Sequence, residues 1–284
     1  MKFPPFAYAA PSTLPEALAI LAGESDARPL AGGQSLLPNM ALRLAAPSLL
    51  VDLHGIAPLR ETAVLADRVR IGAMVTHAAN AASFDVWMHL PLVSAALHHV
   101  AHQAVRNRGT FGGSLAHADA GAEMPLVVAA LDGTLILDGP EGERRLSAAD
   151  FFQGHYTTAI RPGELLVAAE LPFSPLTWAF EELARRSGDL AIAMAAVGVR
   201  LEDDICREAR VLLGSVSDRP VRIAAAEAYL IGRQLTPAVT REAGRLAAAD
   251  INPRSDVHGN AEYRRSVAAV LVRRALDRLA RGDA

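Results

Sequence analysis

The chain has 284 residues, 51% of them hydrophobic, with 28 basic against 31 acidic side chains and a net charge of −3. That length suits one large or two ordinary domains, and the apolar fraction supports a sizeable core and excludes disorder. The charge balance leaves no footprint for nucleic acid, no apolar run is long enough to span a bilayer, and the single Cys206 excludes an internal disulfide, a self-ligated iron–sulfur cluster or a Cys-rich zinc site.

The run Met1 to Phe6 lacks the apolar core of a signal peptide, so the cytoplasm is the expected compartment. Residues 12–22 read as a helix capped by Ser12 or Thr13, with Pro15 in its first turn. Arg28 to Ala31 is extended and runs into the first of two diglycine segments, Leu30-Ala31-Gly32-Gly33-Gln34-Ser35-Leu36-Leu37-Pro38. A brief helix or turn follows over 36–44, then strands at 49–53 and 69–73 and a helix start at Thr76. Apolar positions Leu92, Val93, Ala96, Leu97 and Val100 predict a helix over 91–103.

That helix leads through Arg106 and Arg108 into the second segment, Thr110-Phe111-Gly112-Gly113-Ser114-Leu115-Ala116-His117-Ala118-Asp119. A helix near 123–131 and strands at 134–137 and 165–171 complete an α+β or α/β first half. Pro172 to Pro175 marks a boundary between domains of 1–173 and 174–284. Beyond it, three strands are expected at 178–185, 195–201 and 209–216. Helices follow from Pro220 to Ile231, Pro237 to Ala249 and Tyr263 to Arg281. The last has an apolar side and six arginines on the other.

Paired glycines allow close backbone approach and positive φ, and successive free amides cradle anions such as a pyrophosphate. Either pair alone is also an ordinary tight turn. Two of them suggest a ligand long enough to be held at two places. Neither fits a Walker loop or the Gly-x-Gly-x-x-Gly dinucleotide fingerprint. His98, His99 and His102 have no evident third ligand and read as a solvated or core-edge cluster. Asp119 and Glu123, one turn apart if a helix has begun, are an acid–base pair or simply acids at a helix N-terminus. Arg106 and Arg108 answer a phosphate or are solvated. No nucleophile elbow or metal set is evident, which fits a cofactor that brings its own chemistry.

Ala31 to Pro38 with Leu42-Arg43-Leu44-Ala45, and the run from Arg106 to Asp119, closely resemble the two flavin motifs of the FAD-binding medium subunits of molybdenum hydroxylases, the carbon monoxide dehydrogenase and xanthine dehydrogenase family. The resemblance also covers Met1-Lys2-Phe3-Pro4-Pro5-Phe6, Arg185-Arg186-Ser187-Gly188-Asp189-Leu190-Ala191 and Glu262-Tyr263-Arg264-Arg265. It implies an α+β FAD-binding fold of the vanillyl-alcohol oxidase type in two subdomains, about 1–57 and 58–173. A C-terminal three-stranded antiparallel sheet with a helical bundle would follow. By that resemblance Leu30, Ala31, Gly32, Gly33, Gln34, Ser35 and Leu36, with Thr110, Phe111, Gly112, Gly113 and Ser114, hold the FAD pyrophosphate and ribityl chain through amides and hydroxyls. His117, Asp119 and Glu123 give polar contacts, and Asp189 and Leu190 lie near the isoalloxazine.

Phe111 replaces the family's usual Ile and would alter the flavin face or its access; Ala120 replaces a Pro, and Leu190 an aromatic of many relatives. The implied partners are a small subunit with two [2Fe–2S] clusters and a large molybdopterin subunit, in a dimer of heterotrimers, with an external electron acceptor. The organic substrate would bind on the large subunit, and no catalytic or metal-ligating residue is expected on this chain. A self-sufficient flavin oxidase or dehydrogenase and a non-catalytic scaffold subunit are the alternatives.

Overall fold

The structure is a computed structural model that describes residues 2–283; Met1, the first residue of the N-terminal run, lies outside the described residues. Strand β1 (Ala7–Ala9), helix α1 (Leu14–Gly23), β2 (Ala27–Leu30), α2 (Leu36–Ala41) and β3 (Leu49–Asp52) form an N-terminal unit whose strands run parallel in the order β1-β3-β2. Thr13 caps α1 in a reciprocal box with Glu16.

The second unit begins with β4 (Thr62–Val64) and β5 (Arg68–Gly72). Short helices follow: α3 (His77–Ala82), α4 (Phe84–His89), α5 (Pro91–Leu97), α6 (Gln103–Arg106), α7 (Phe111–His117) and α8 (Glu123–Ala130). Then come β6 (Thr134–Asp138), β7 (Arg144–Ser147), α9 (Ala148–Phe151), the hairpin β8 (Phe152–Gly154) and β9 (Thr157–Thr158), and β10 (Leu165–Pro172). The antiparallel sheet order is β4-β5-β10-β6-β7. The third unit holds β11 (Thr177–Ala184), β12 (Ala191–Glu202), β13 (Ile205–Gly214) and β14 (Val221–Arg222), antiparallel in chain order, then α10 (Ala224–Leu230), α11 (Pro237–Ala249) and α12 (Ala261–Arg281). This is an α+β architecture in which two mixed units are followed by an antiparallel sheet covered by helices.

Strand periodicity distributes the core. On β6, Leu135 and Leu137 face the helices α5, α7 and α8, while Ile136 turns to the N-terminal unit and packs with Ala17 and Val51. On β12, Met194 and Ala196 pack toward α8, and Ala193, Ala195 and Val197 pack toward α11 and α12. The C-terminal sheet is therefore buried on both faces, and its strands read as nearly continuous apolar runs. Gly244 lets α11 lie directly on α12; a Cβ there would sit 2.4 Å from the Ala269 carbonyl oxygen.

Three expectations change. The helix expected over 91–103 ends at Leu97: Ala101 takes φ 40°, and the Arg106 guanidinium gathers the Val100 and Ala101 carbonyls at 2.7 Å each. His98 thus caps the end of α5 and His102 the start of α6. The segment after Pro220 first pairs as β14 with Leu212 and Leu213 and turns helical only at Ala224. On α12, Arg264 is buried rather than solvated. It donates to the Ile192 carbonyl, to the Ser215 carbonyl at 3.1 Å and to Asp256 at 2.7 Å, tying the helix to β12 and to the turn after β13.

Replacing Arg264 with Ala leaves buried carbonyls without a donor, so the urea midpoint should fall by an amount equivalent to about 2 kcal/mol. An unchanged midpoint would refute the clamp.

Candidate functional site

The first diglycine segment leaves the sheet where β2 ends. The Leu30 carbonyl accepts from Leu53 N at 3.1 Å, and Gly33 turns the chain with φ +73°. Helix α2 then begins, with Leu37 N donating to Gly33 O and Asn39 N to Ser35 O. Among the described residues the amides of Gly32, Gly33, Gln34 and Ser35 donate to no protein acceptor, and Ser35 offers α2 no side-chain cap. Successive unspent N–H groups around a positive-φ glycine make an anion-binding nest.

The second segment is built differently. Thr110 caps α7, and both glycines lie inside that helix. Phe111 N donates to Val75 O, Gly112 N to Ala73 O, Gly113 N to Thr110 Oγ1 and Ser114 N to Thr110 O. The amides of 111–114 are therefore already spent within the protein, leaving the Thr110 amide, the Ser114 side chain and the glycine surfaces to face a ligand. These glycines serve close packing: a Cβ on Gly112 would sit 2.4 Å from the Ala73 Cβ, and one on Gly113 2.6 Å from Thr110 Oγ1.

The two segments cross. A Cβ on Gly32 would lie 2.3 Å from the Arg108 carbonyl oxygen and 2.7 Å from the Gly109 Cα. Beside this crossing opens a cavity of about 660 Å³, lined also by the β8–β9 arch, the start of β10 and the β11–β12 connection. That is a volume typical of cofactor pockets.

The cavity gathers Ala31, Gly32, Gly33, Gln34, Ser35, Leu36, Thr110, Gly112, Gly113, Ser114, His117, Asp119, Glu123, Asp189 and Leu190. Leu30 and Phe111 are not among its lining. The ring of Phe111 is wholly buried in the core with Leu115 and Met124, because α7 turns that side inward. It therefore does not alter the face or access of a ligand in the cavity. Leu190 is 63% exposed at the mouth. Arg106 and Arg108 do not line the cavity either; Arg28 is the one arginine that does among the described residues.

Asp119 precedes the helix that Glu123 opens, so the two do not share a helical face, though both line the cavity. Asp119 accepts from Gly121 N at 2.9 Å and from the Tyr156 hydroxyl at 3.1 Å. Tyr156 takes φ 53°, and its ring lies 4.9 Å from His117 and 4.1 Å from His155. Burial, aided by the Asp119 charge, pushes the Glu123 carboxyl up to about 7. Behind it, burial and then Glu123 push Glu182 on β11 up to about 8.

His77 is a further cavity residue, only 5% exposed, with its Nδ1 unpartnered; both amide atoms of Asn80, three residues on, are likewise buried and unpaired. Burial and the Arg106 charge lower His77 to about 4, so it is a neutral imidazole near pH 7. No motif marks His77 or Tyr156 in the sequence, because both reach the cavity only through tertiary packing. Among the described residues no group of three or more His, Cys, Asp or Glu is placed to hold a metal. No described helix is long and apolar enough to cross a membrane.

Residues 4–174 match the family profile described as the FAD binding domain in molybdopterin dehydrogenase, and residues 178–279 match the CO dehydrogenase flavoprotein C-terminal domain. The chain is 40% identical to the nicotine 6-hydroxylase medium subunit of Paenarthrobacter nicotinovorans, over 97% of this chain and 98% of that one. It is also 40% identical to the carbon monoxide dehydrogenase medium chain of Afipia carboxidovorans, over 96% of each. Among solved structures it superposes on quinoline 2-oxidoreductase from Pseudomonas putida 86 with TM-score 0.98 and 46% identity, covering 100% of this chain and 99% of that one.

Two outcomes are expected of the cofactor-free chain. Gly32→Ala should lower its stability by about 2 kcal/mol, since the added methyl meets backbone and cannot be accommodated by a rotamer change. A stable variant would mean that the crossing is looser than described. Glu123 titrates at 4.5 when unperturbed and at about 7 in the fold. Its contribution is thus full below pH 4.5 and is lost as pH rises to about 7, where the unfolded chain is ionised first. Glu123→Gln should remove about 3 kcal/mol of that decline. An identical pH profile for variant and parent would contradict the burial of this carboxyl.

Proposed function

The chain belongs to the FAD-binding medium subunits of the molybdenum hydroxylases, the carbon monoxide dehydrogenase and xanthine dehydrogenase family, and from that premise we propose that it is the electron-transfer subunit of a cytoplasmic heterotrimer. Electrons would arrive from [2Fe–2S] clusters on a small partner subunit, themselves filled by a large molybdopterin subunit that oxidises the organic substrate, and leave for an external acceptor. Two heterotrimers would pair. FAD suits the position because a flavin takes electrons singly and releases one or two.

The observation that carries this reading is the row of unspent amides from Gly32 to Ser35 beside a cavity of about 660 Å³. Asp119, Glu123, Glu164 and Asp189 outnumber Arg28 in the lining, so a bound pyrophosphate would be held by backbone dipoles rather than by side-chain cations. Glu164 is already paired with Arg144 at 2.7 Å, and Asp189 with Arg186 at 3.2 Å, which softens the repulsion. We assign the sugar hydroxyls to Asp119, Glu123 and Ser114. The ring system would lie toward Val100, Ala101 and Leu190, where the lining is apolar. Residues 1–173 would be the FAD-binding domain and 174–284 the C-terminal domain. In support, the chain passes from the five-stranded sheet to the four-stranded one between Pro172 and Thr177.

Gly33→Ala tests the nest without the backbone clash of Gly32, since its Cβ would meet side-chain atoms alone, Leu37 Cδ1 at 3.0 Å and Leu30 Cδ1 at 3.5 Å. Forcing a side chain at φ +73° should weaken FAD binding about tenfold. Unchanged affinity would move the pyrophosphate elsewhere. The electron route is tested by mixing the FAD-loaded chain anaerobically with a reduced [2Fe–2S] partner subunit. Bleaching of the flavin band supports the route, and bleaching only by an organic substrate added to the isolated chain would establish the self-sufficient alternative.

A further inference from the structure

On the far side of the C-terminal domain, α11 and α12 enclose a groove of about 440 Å³. Its floor is Ala248, Ala269 and Val270, and its walls are Arg241, Arg245, Arg265 and Arg273, with Glu262 the one acid in the lining. The groove exists because the small residues at this helix crossing leave room above the seam. Arg245 is paired with Glu242 at 2.6 Å, and Arg265 is held by the Ile251 carbonyl and Asn252. Among the described residues Arg241, Arg265 and Arg273 form no ion pair, and the Arg273 Nε is buried without a partner. Four guanidiniums converge here on a chain whose net charge is −3.

From Arg265 to Arg273 the helix advances about 12 Å. That spread is too long for one phosphate or carboxylate and fits a short chain segment carrying several acids. The planar, fork-shaped donors suit carboxylates, and the Ala–Val floor suits an apolar side chain between them. A nucleic acid would meet repulsion from the acidic remainder of the surface.

We propose that this groove seats an acidic, amphipathic segment of a partner subunit, a docking contact on the opposite helical layer from the FAD cavity; the proposal rests on the reading of the chain as one subunit of a larger complex. The contact would fix the orientation of the subunit in the assembly and would weaken with salt.

The test measures association of the FAD-loaded chain with the purified iron–sulfur and molybdopterin subunits, separately and together. Arg241→Glu with Arg273→Glu should raise Kd for at least one partner about tenfold or more, with the flavin content and the far-UV spectrum unchanged. Arg274→Glu, an exposed arginine of α12 outside the groove, should leave Kd within about twofold of the parent. Equal binding of both partners by the doubly reversed variant and the parent would overturn the proposal. A parent chain that binds FAD but neither subunit would instead remove the premise, and the groove proposal with it.

Discussion

Two stretches of backbone meet where no side chain fits. Gly32 lies against the Arg108 carbonyl and the Gly109 Cα, and Gly112 lies against Ala73. These contacts bring the N-terminal parallel sheet, the β5–α3 turn and the start of α7 to one point, and the cavity opens beside it. The glycine pairs therefore answer two demands. Gly33 supplies the left-handed turn that leaves successive amides pointing outward, while Gly32, Gly112 and Gly113 supply contact distances that a methyl would break.

The cavity's charge is arranged to suit an anionic, hydroxyl-rich ligand without a cluster of cations. Backbone N–H groups offer the anion site, and the lining also carries the carboxylates of Asp119, Glu123, Glu164 and Asp189. Burial keeps much of Glu123 protonated near neutrality, so it can donate as well as accept. The deep desolvation that does this also raises Glu182 behind it, at the layer where α8 meets the C-terminal sheet. The C-terminal domain thus contributes the floor behind the acid and, through Gly188, Asp189 and Leu190, one lip of the cavity.

The first glycine segment was legible as a turn leaving a strand and entering a helix, while its free amides needed the backbone geometry, since a Gly-Gly pair alone is also an ordinary tight turn. The second was harder. Gly disfavours helix, which hid that Thr110 caps one and that the amides of 111–114 are consumed. Which way Phe111 points depends on the rotation of that helix, and a string of letters does not carry it. Arg264 was legible after all: it stands three, four and seven residues before Val267, Ala268 and Leu271, and the helical period puts it on their buried stripe. The five other arginines of the helix mask that position. Tyr156 and His77 carry no local signal, since an arch and a turn distant in sequence bring them to the cavity.

The cavity's fit to FAD is checked by releasing the cofactor from the purified chain by denaturation, followed by mass analysis and quantitation. FAD is expected at about one per chain, restored by added FAD after stripping. A chain that is colourless as purified and takes up no FAD, alone or with its partner subunits present, would contradict it.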